Sequence, residues 1–184
     1  MPQLRAVPGA LIVLLWFVGT VLFSVYYVFN DPGFDYRLLL VGAVLPDVFD
    51  IPVGRAAWAH SVTVSVVVLA VVMLSTAGRT PARRLLLGLP IGMLLHLVWD
   101  GAFSAARVFW WPMSGGWGDH AVPSVARGWW NVPLEVAGLL MVRAAWRRFG
   151  LGDAGRRRTF VQSGTLTVVH DVPSAAARSR RIGR

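Results

Sequence analysis

The residues most suited to chemistry are His96 and Asp100, one helical turn apart in the otherwise uncharged stretch Leu85–Ala106. That stretch is long enough to cross a bilayer as a helix. A carboxylate in the hydrocarbon region costs at least ~2.5–3.5 kcal/mol, so Asp100 calls for a partner or a function. Arg107 lies eleven residues after His96, close to three full turns, so it returns to the same face. Two further acids, Asp47 and Asp50, lie three apart in Leu45-Pro46-Asp47-Val48-Phe49-Asp50-Ile51-Pro52, and His60 opens the next apolar run. His60, His96, Asp47, Asp50 and Asp100 together form an imidazole and carboxylate set, which suits a divalent metal such as zinc, manganese or iron, with zinc and manganese foremost. A metal with an open position generates hydroxide near neutral pH. Glu135 could be a further ligand, a general base or an orienting group. Arg107, Arg55 and Arg127 could hold an anionic substrate group.

The elements that must position these residues are membrane-like. The 184 residues are 55% hydrophobic and 15% charged, with a mean hydropathy of +0.58. So small a soluble domain has too little interior for that much apolar material, so the sequence predicts an all-α, polytopic protein of the cell membrane. Four spans are expected, at Ala10–Phe29, Ala56–Ala77, Leu85–Ala106 and from Trp129 through Arg143. A signal peptide is the competing reading of the first, but its apolar core would be shorter. Asn30–Gly33 reads as a turn. Two acids and two prolines make Arg37–Gly54 a re-entrant or interfacial segment in this reading, with only a short helical turn after Pro46.

Residues 1–148 then form the transmembrane domain and 149–184 a basic, largely disordered tail, with a small hairpin suggested over Thr159–Val172. The net charge is +9, every basic side chain is Arg, and cysteine is absent, which excludes disulfides and thiolate metal sites. The arginine excess sits mostly in the last quarter, so it reads as membrane orientation rather than a nucleic-acid surface. Arg79, Arg83, Arg84 and the tail mark the cytoplasmic side. With four spans both termini are cytoplasmic, and the acids and histidines fall roughly 6 to 15 Å below the outer surface. Trp58, Trp110, Trp111, Trp129 and Trp130 then share the outer interface.

The ordered set Leu45-Pro46-Asp47-x-x-Asp50, His60-Ser61, His96-Leu97-x-x-Asp100 and Trp111-Pro112 resembles the predicted membrane-bound, metal-dependent hydrolases, the LexA-binding, inner-membrane-associated (YdjM-like) family. The resemblance spans roughly Leu38–Met141. It implies that Asp47, Asp50, His60, His96 and Asp100 form a metal site. Many members carry His-Arg-Gly-x-Thr-His-Ser where this chain has Arg55-Ala56-Ala57-Trp58-Ala59-His60-Ser61, and many have Pro-Asp-x-Asp. Both departures weigh against a two-metal site.

The residues leave three functions open. One is a hydrolase using metal-activated water on a lipid-linked or amphipathic ester or phosphoester at the outer face, with Glu135 and Asp100 as catalytic groups and Arg107 on the substrate. The second is a metal-ion or proton transporter, which needs a polar path through both halves of the membrane. The third is a scaffold in which His96 and Asp100 form a helix-packing pair, Asp47 and Asp50 cap a turn, and Glu135 pairs with Arg107 or Arg127.

Overall fold

The computed structural model describes residues 13–29, 34–116 and 126–168. The expected turn at Asn30–Gly33, most of the loop before Arg127, and the tail beyond residue 168 with its last arginines lie outside the described residues. The described chain is helical and without strands: α1 Leu14–Phe29, α2 Tyr36–Asp50, α3 Val62–Ser75, α4 Thr80–Leu86, α5 Gly88–Asp100, α6 Ala106–Phe109, α7 Asn131–Arg148 and α8 Ala154–Ser163. α4 and α5 run on as one helix of 21 residues, Thr80–Asp100, which among the described residues is the one helix long and apolar enough to cross a membrane. α1 and α3 are apolar but shorter.

Local chemistry sets the helix ends. Asp35 caps α2 by accepting from the Arg37 N–H, Ser61 caps α3 by accepting from Thr63, and Asp153 caps α8 by accepting from Arg156. α5 stops at Gly101, whose left-handed φ of 70° ends the helix.

The helices approach closely through glycine. A Cβ at Gly88 would lie 2.8 Å from the Leu39 nitrogen, and at Gly42 or Gly92 it would overlap the backbone of the opposing helix, so α2 lies directly against α5. Gly19 and Gly138 do the same for α1 and α7. Leu39 meets Gly88 and Ala43 meets His96, so α2 runs parallel to α5. Leu15 meets Glu135 and Tyr26 meets Phe149, so α1 runs parallel to α7. Trp16 against Trp99 and Phe17 against His96 make α1 antiparallel to α5. The starts of α1, α3 and α7 and the ends of α2 and α5 therefore gather at one end of the bundle, and the tail joins the other. Phe17, Tyr36, Leu39, Leu97 and Phe149 are buried inside, while Val66, Val67, Val71 and Leu74 of α3 and Val136, Leu139 and Leu140 of α7 point outward.

Three expectations are corrected. The Asp47/Asp50 segment is not a short turn: α2 is a continuous 15-residue helix with Pro46 inside it, and both acids fall in its last turn, enclosed by protein. This additional helix puts Val13 and Val168 at opposite ends of the bundle. The third span does not continue to Ala106, because Gly101 breaks it, so the unbroken helix that would return Arg107 to the face of His96 does not exist. Finally, the tail is structured as far as residue 168. Thr159 lies in α8 rather than a hairpin, Phe149 and Leu166 join the core, the Tyr36 N–H donates to Gly164 at 2.9 Å, and Arg37 donates to the carbonyls of Val161 and Gln162.

Gly92→Ala is expected to cost about 1–3 kcal/mol, because its methyl must displace α2 backbone. Gly116→Ala, with open space around it, should change stability by less than about 0.5 kcal/mol. Reversible unfolding in mixed micelles measures both, and equal stability of the two variants would refute the close α2–α5 contact.

Candidate metal centre

α2 delivers Asp47 and Asp50 side by side, and the chain reverses through a 3-10 turn at Ile51–Val53 and Gly54, whose φ is 75°. One oxygen organises that reversal. Asp50 Oδ2 accepts the Ala57 N–H at 2.8 Å and the His60 N–H at 3.2 Å, and lies 2.7 Å from His60 Nδ1. Asp50 Oδ1 is buried without a hydrogen-bond partner. Ser61 anchors the loop from the other side, donating to the Trp111 carbonyl at 2.6 Å. A carboxylate can only accept here, so His60 carries a proton on Nδ1, and in its neutral form it turns the lone pair of Nε2 inward.

His96 repeats the arrangement with a different partner. Its Nδ1 lies 2.7 Å from the Ala43 carbonyl, which fixes the proton there and leaves Nε2 bare. The ring of Phe17 packs on it at 4.1 Å.

The two lone pairs point at carboxylates. Asp47 Oδ1 is 3.3 Å from His60 Nε2 and 3.7 Å from His96 Nε2, and Asp100 Oδ2 is 3.6 Å from His60 Nε2. The four side chains are 0–4% exposed. His60 Nε2, His96 Nε2 and Asp100 Oδ2 are buried without a hydrogen-bond partner. With both histidines neutral, four acceptor atoms thus face one another, which is repulsive in a low-dielectric interior unless a proton or a metal cation stands among them. Asp47, His60 and His96 could hold a metal ion, their ligand atoms lying within 4.8 Å of one another, and Asp100 adds a fourth oxygen. Nδ1 hydrogen bonds to a carboxylate and a carbonyl are the usual supports of metal-ligating histidines. The other Asp100 oxygen, Oδ1, accepts from Arg127 Nη2 at 2.9 Å.

The structure therefore brings together Asp47, Asp50, His60, His96 and Asp100, with Asp50 behind the His60 ring. It does not bring Glu135 to them. The Glu135 carboxylate accepts from the Leu15 and Trp16 N–H groups at 3.0–3.2 Å, satisfying the start of α1 across the bundle. Nor does it bring Arg107, which is exposed on α6 beyond the Gly101 break. Arg127 is the cation that meets Asp100. Ala43, Phe17 and Ala57 went unread, because they act through a carbonyl, a ring face and an N–H that carry no distinguishing residue type.

One divalent ion per chain is expected in the purified protein, and His60→Ala, His96→Ala or Asp47→Ala should abolish it. Asp50→Asn should weaken binding by about 10–100-fold without removing the site. Glu135→Gln should lower the melting temperature and leave metal content unchanged. Elemental analysis with zinc and manganese titration checks all of these, and metal binding unaffected by His96→Ala would exclude the centre.

Comparison with protein-family models, with curated proteins and with solved structures gives no match to this chain. The chemistry of the centre is therefore read from its own atoms.

Proposed function

We propose that the protein is a multi-pass membrane hydrolase that depends on a divalent metal, with its reaction centre at the outer end of the helix bundle. The observation that carries this reading is the buried convergence of two imidazole Nε2 atoms and two carboxylate oxygens, Asp47, His60 and His96 being spaced to hold a metal ion, beside an open groove. Asp47, His60 and His96 would hold the ion, zinc or manganese by donor type, with Asp100 Oδ2 beside it. Bound there, such an ion lowers the pKa of water and polarises an ester oxygen. Asp50 orients His60, and Arg127 holds Asp100 so that its Oδ2 faces the centre, where it can take a proton from water. The sequence resemblance to membrane-bound, metal-dependent hydrolases agrees with this chemistry.

The apolar exterior supports a bilayer setting. Contiguous exposed valine and leucine on α3 and α7 exceed what a water-facing surface carries. Exposed Trp110, Trp129 and Trp130 lie toward the centre's end, and Tyr27, Phe29 and Trp146 toward the other, as two interfacial belts would. Arg79, Arg83 and Arg84 start the helix that leads up to the centre, so they orient the far end to the cytoplasm and the centre outward. Transport is disfavoured because the cytoplasmic halves Val66–Leu74, Leu85–Leu95 and Gly138–Val142 carry no charged side chain.

Zinc- or manganese-loaded protein should hydrolyse members of a panel of chromogenic esters and phosphoesters, and Asp100→Asn should lower turnover by about 10²–10⁴-fold. Absence of turnover across the panel in a metal-loaded, folded sample would favour the scaffold. For orientation, a cysteine at Gly116 should react with an impermeant reagent on intact cells, and one at Gly155 should not. The reverse labelling would invert the topology.

A further inference from the structure

Beside the centre the bundle wall opens into a groove of about 540 Å³, bordered by Val98, Trp99, Asp100, Phe103, Arg127 and Leu134. Its two walls differ in chemistry. Val98, Trp99 and Phe103 are 58%, 40% and 61% exposed, an apolar surface turned outward where the bilayer would lie. The opposite wall is the ion pair. Arg127 Nη2 donates to Asp100 Oδ1 and to the Asp100 backbone carbonyl, whereas Nη1 is buried with no hydrogen-bond partner. The Arg127 side chain is 24% exposed and lines the groove, so an acceptor entering there can meet its unused donor capacity. The same Asp100 carboxylate turns its other oxygen to His60 Nε2 at 3.6 Å. A single carboxylate therefore joins the guanidinium, the groove and the centre.

A guanidinium in this position matches an anionic, planar-forked or tetrahedral acceptor, a carboxylate or a phosphate. A neutral carboxylic ester offers no negative oxygen to it. We propose that the groove binds a lipid-anchored phosphoester, its phosphate on Arg127 and its hydrocarbon chain along Val98, Trp99 and Phe103. This assignment rests on the hydrolase reading of the centre. The reaction balances with water alone. A water oxygen forms a bond to phosphorus, and the bond from phosphorus to the chain oxygen breaks. That oxygen takes a proton and leaves as the lipid alcohol, and phosphate departs to the aqueous side. Arg127, rather than Arg107, is then the substrate's anion contact.

The test is equilibrium binding to the full chain in dodecyl maltoside micelles, with hexadecyl phosphate, hexadecanol and inorganic phosphate as probes, with and without zinc. Hexadecyl phosphate should bind tighter than hexadecanol by about 10–100-fold, the factor that a charge-assisted hydrogen bond supplies, and tighter than inorganic phosphate through burial of its chain. Arg127→Gln should erase most of the advantage over hexadecanol. Phe103→Ser, at an exposed position where folding is not at stake, should weaken hexadecyl phosphate and leave inorganic phosphate unchanged. Equal binding of hexadecyl phosphate and hexadecanol, or indifference to both substitutions, overturns the proposal. Inorganic phosphate binding as tightly as hexadecyl phosphate overturns its lipid half. If the expected binding pattern holds but zinc- or manganese-loaded protein releases no phosphate, the groove stands and the hydrolase reading fails. If carboxylic esters are cleaved with no effect of Arg127→Gln, the hydrolase stands and the groove assignment fails.

Discussion

The direct contact between α2 and α5 is the constraint on which the centre depends. Only glycine at positions 42, 88 and 92 lets the two backbones come this close. That closeness lets the Ala43 carbonyl reach His96 Nδ1, which in turn decides the direction of the His96 lone pair. The parallel course of the helices brings the last turn of α2, with Asp47, level with His96, and Asp100 arrives one turn further along the same face. A residue with a side chain at any of these glycines would move Asp47 away from His96, however well the ligands themselves were preserved. The small residues on the helix faces thus belong to the chemistry as much as the ligands do.

What the contact assembles is electrostatically unfavourable by itself. Each buried acceptor left without a partner costs about 1–3 kcal/mol, and three such atoms meet here beside Asp47. Apolar packing could have closed the space, since a buried polar cluster is often replaceable by hydrophobic residues without loss of stability. The cluster makes sense as a binding site because a divalent cation reverses the sign of the interaction among its oxygens and nitrogens. Apparent binding energies of about 10–16 kcal/mol at structural zinc sites show that such an ion can offset penalties of this size. Arg127 has a separate role at the edge, because it balances the oxygen of Asp100 that faces away from the lone pairs.

The five clustered residues were legible because acids and histidines are conspicuous in an apolar chain and their spacing on helices is simple. Three other features were not. Pro46 and two acids argued against a long helix in Arg37–Gly54. That inference counted the polar residues without knowing that they all fall in the final turn, where neighbouring helices enclose them. Gly101 did not announce itself as a stop inside an apolar run, so Arg107 was carried onto a face it does not occupy. The tail read as solvated from its arginines, yet Phe149, Phe160 and Leu166 alternate with them and supply an apolar side that packs beneath α1 and α2.

Glu135 shows why type and depth are insufficient to assign a role. It is the only glutamate in the chain, lies in an apolar helix and sits at the same end of the bundle as the centre. By those criteria it ranks with Asp100. The difference lies in the donors around it. Its two oxygens are occupied by N–H groups of Leu15 and Trp16, and these belong to the first turn of α1, where backbone donors have no partner within their own helix. In a hydrocarbon setting water is not available to satisfy them, so a carboxylate from α7 is an effective substitute, and the positive end of the helix dipole stabilises its charge. Buried acids at one end of a bundle therefore divide by whether donors or acceptors surround them. Glu135 faces donors and holds two helices together. Asp47 faces two bare nitrogens, and that arrangement is satisfied by a cation.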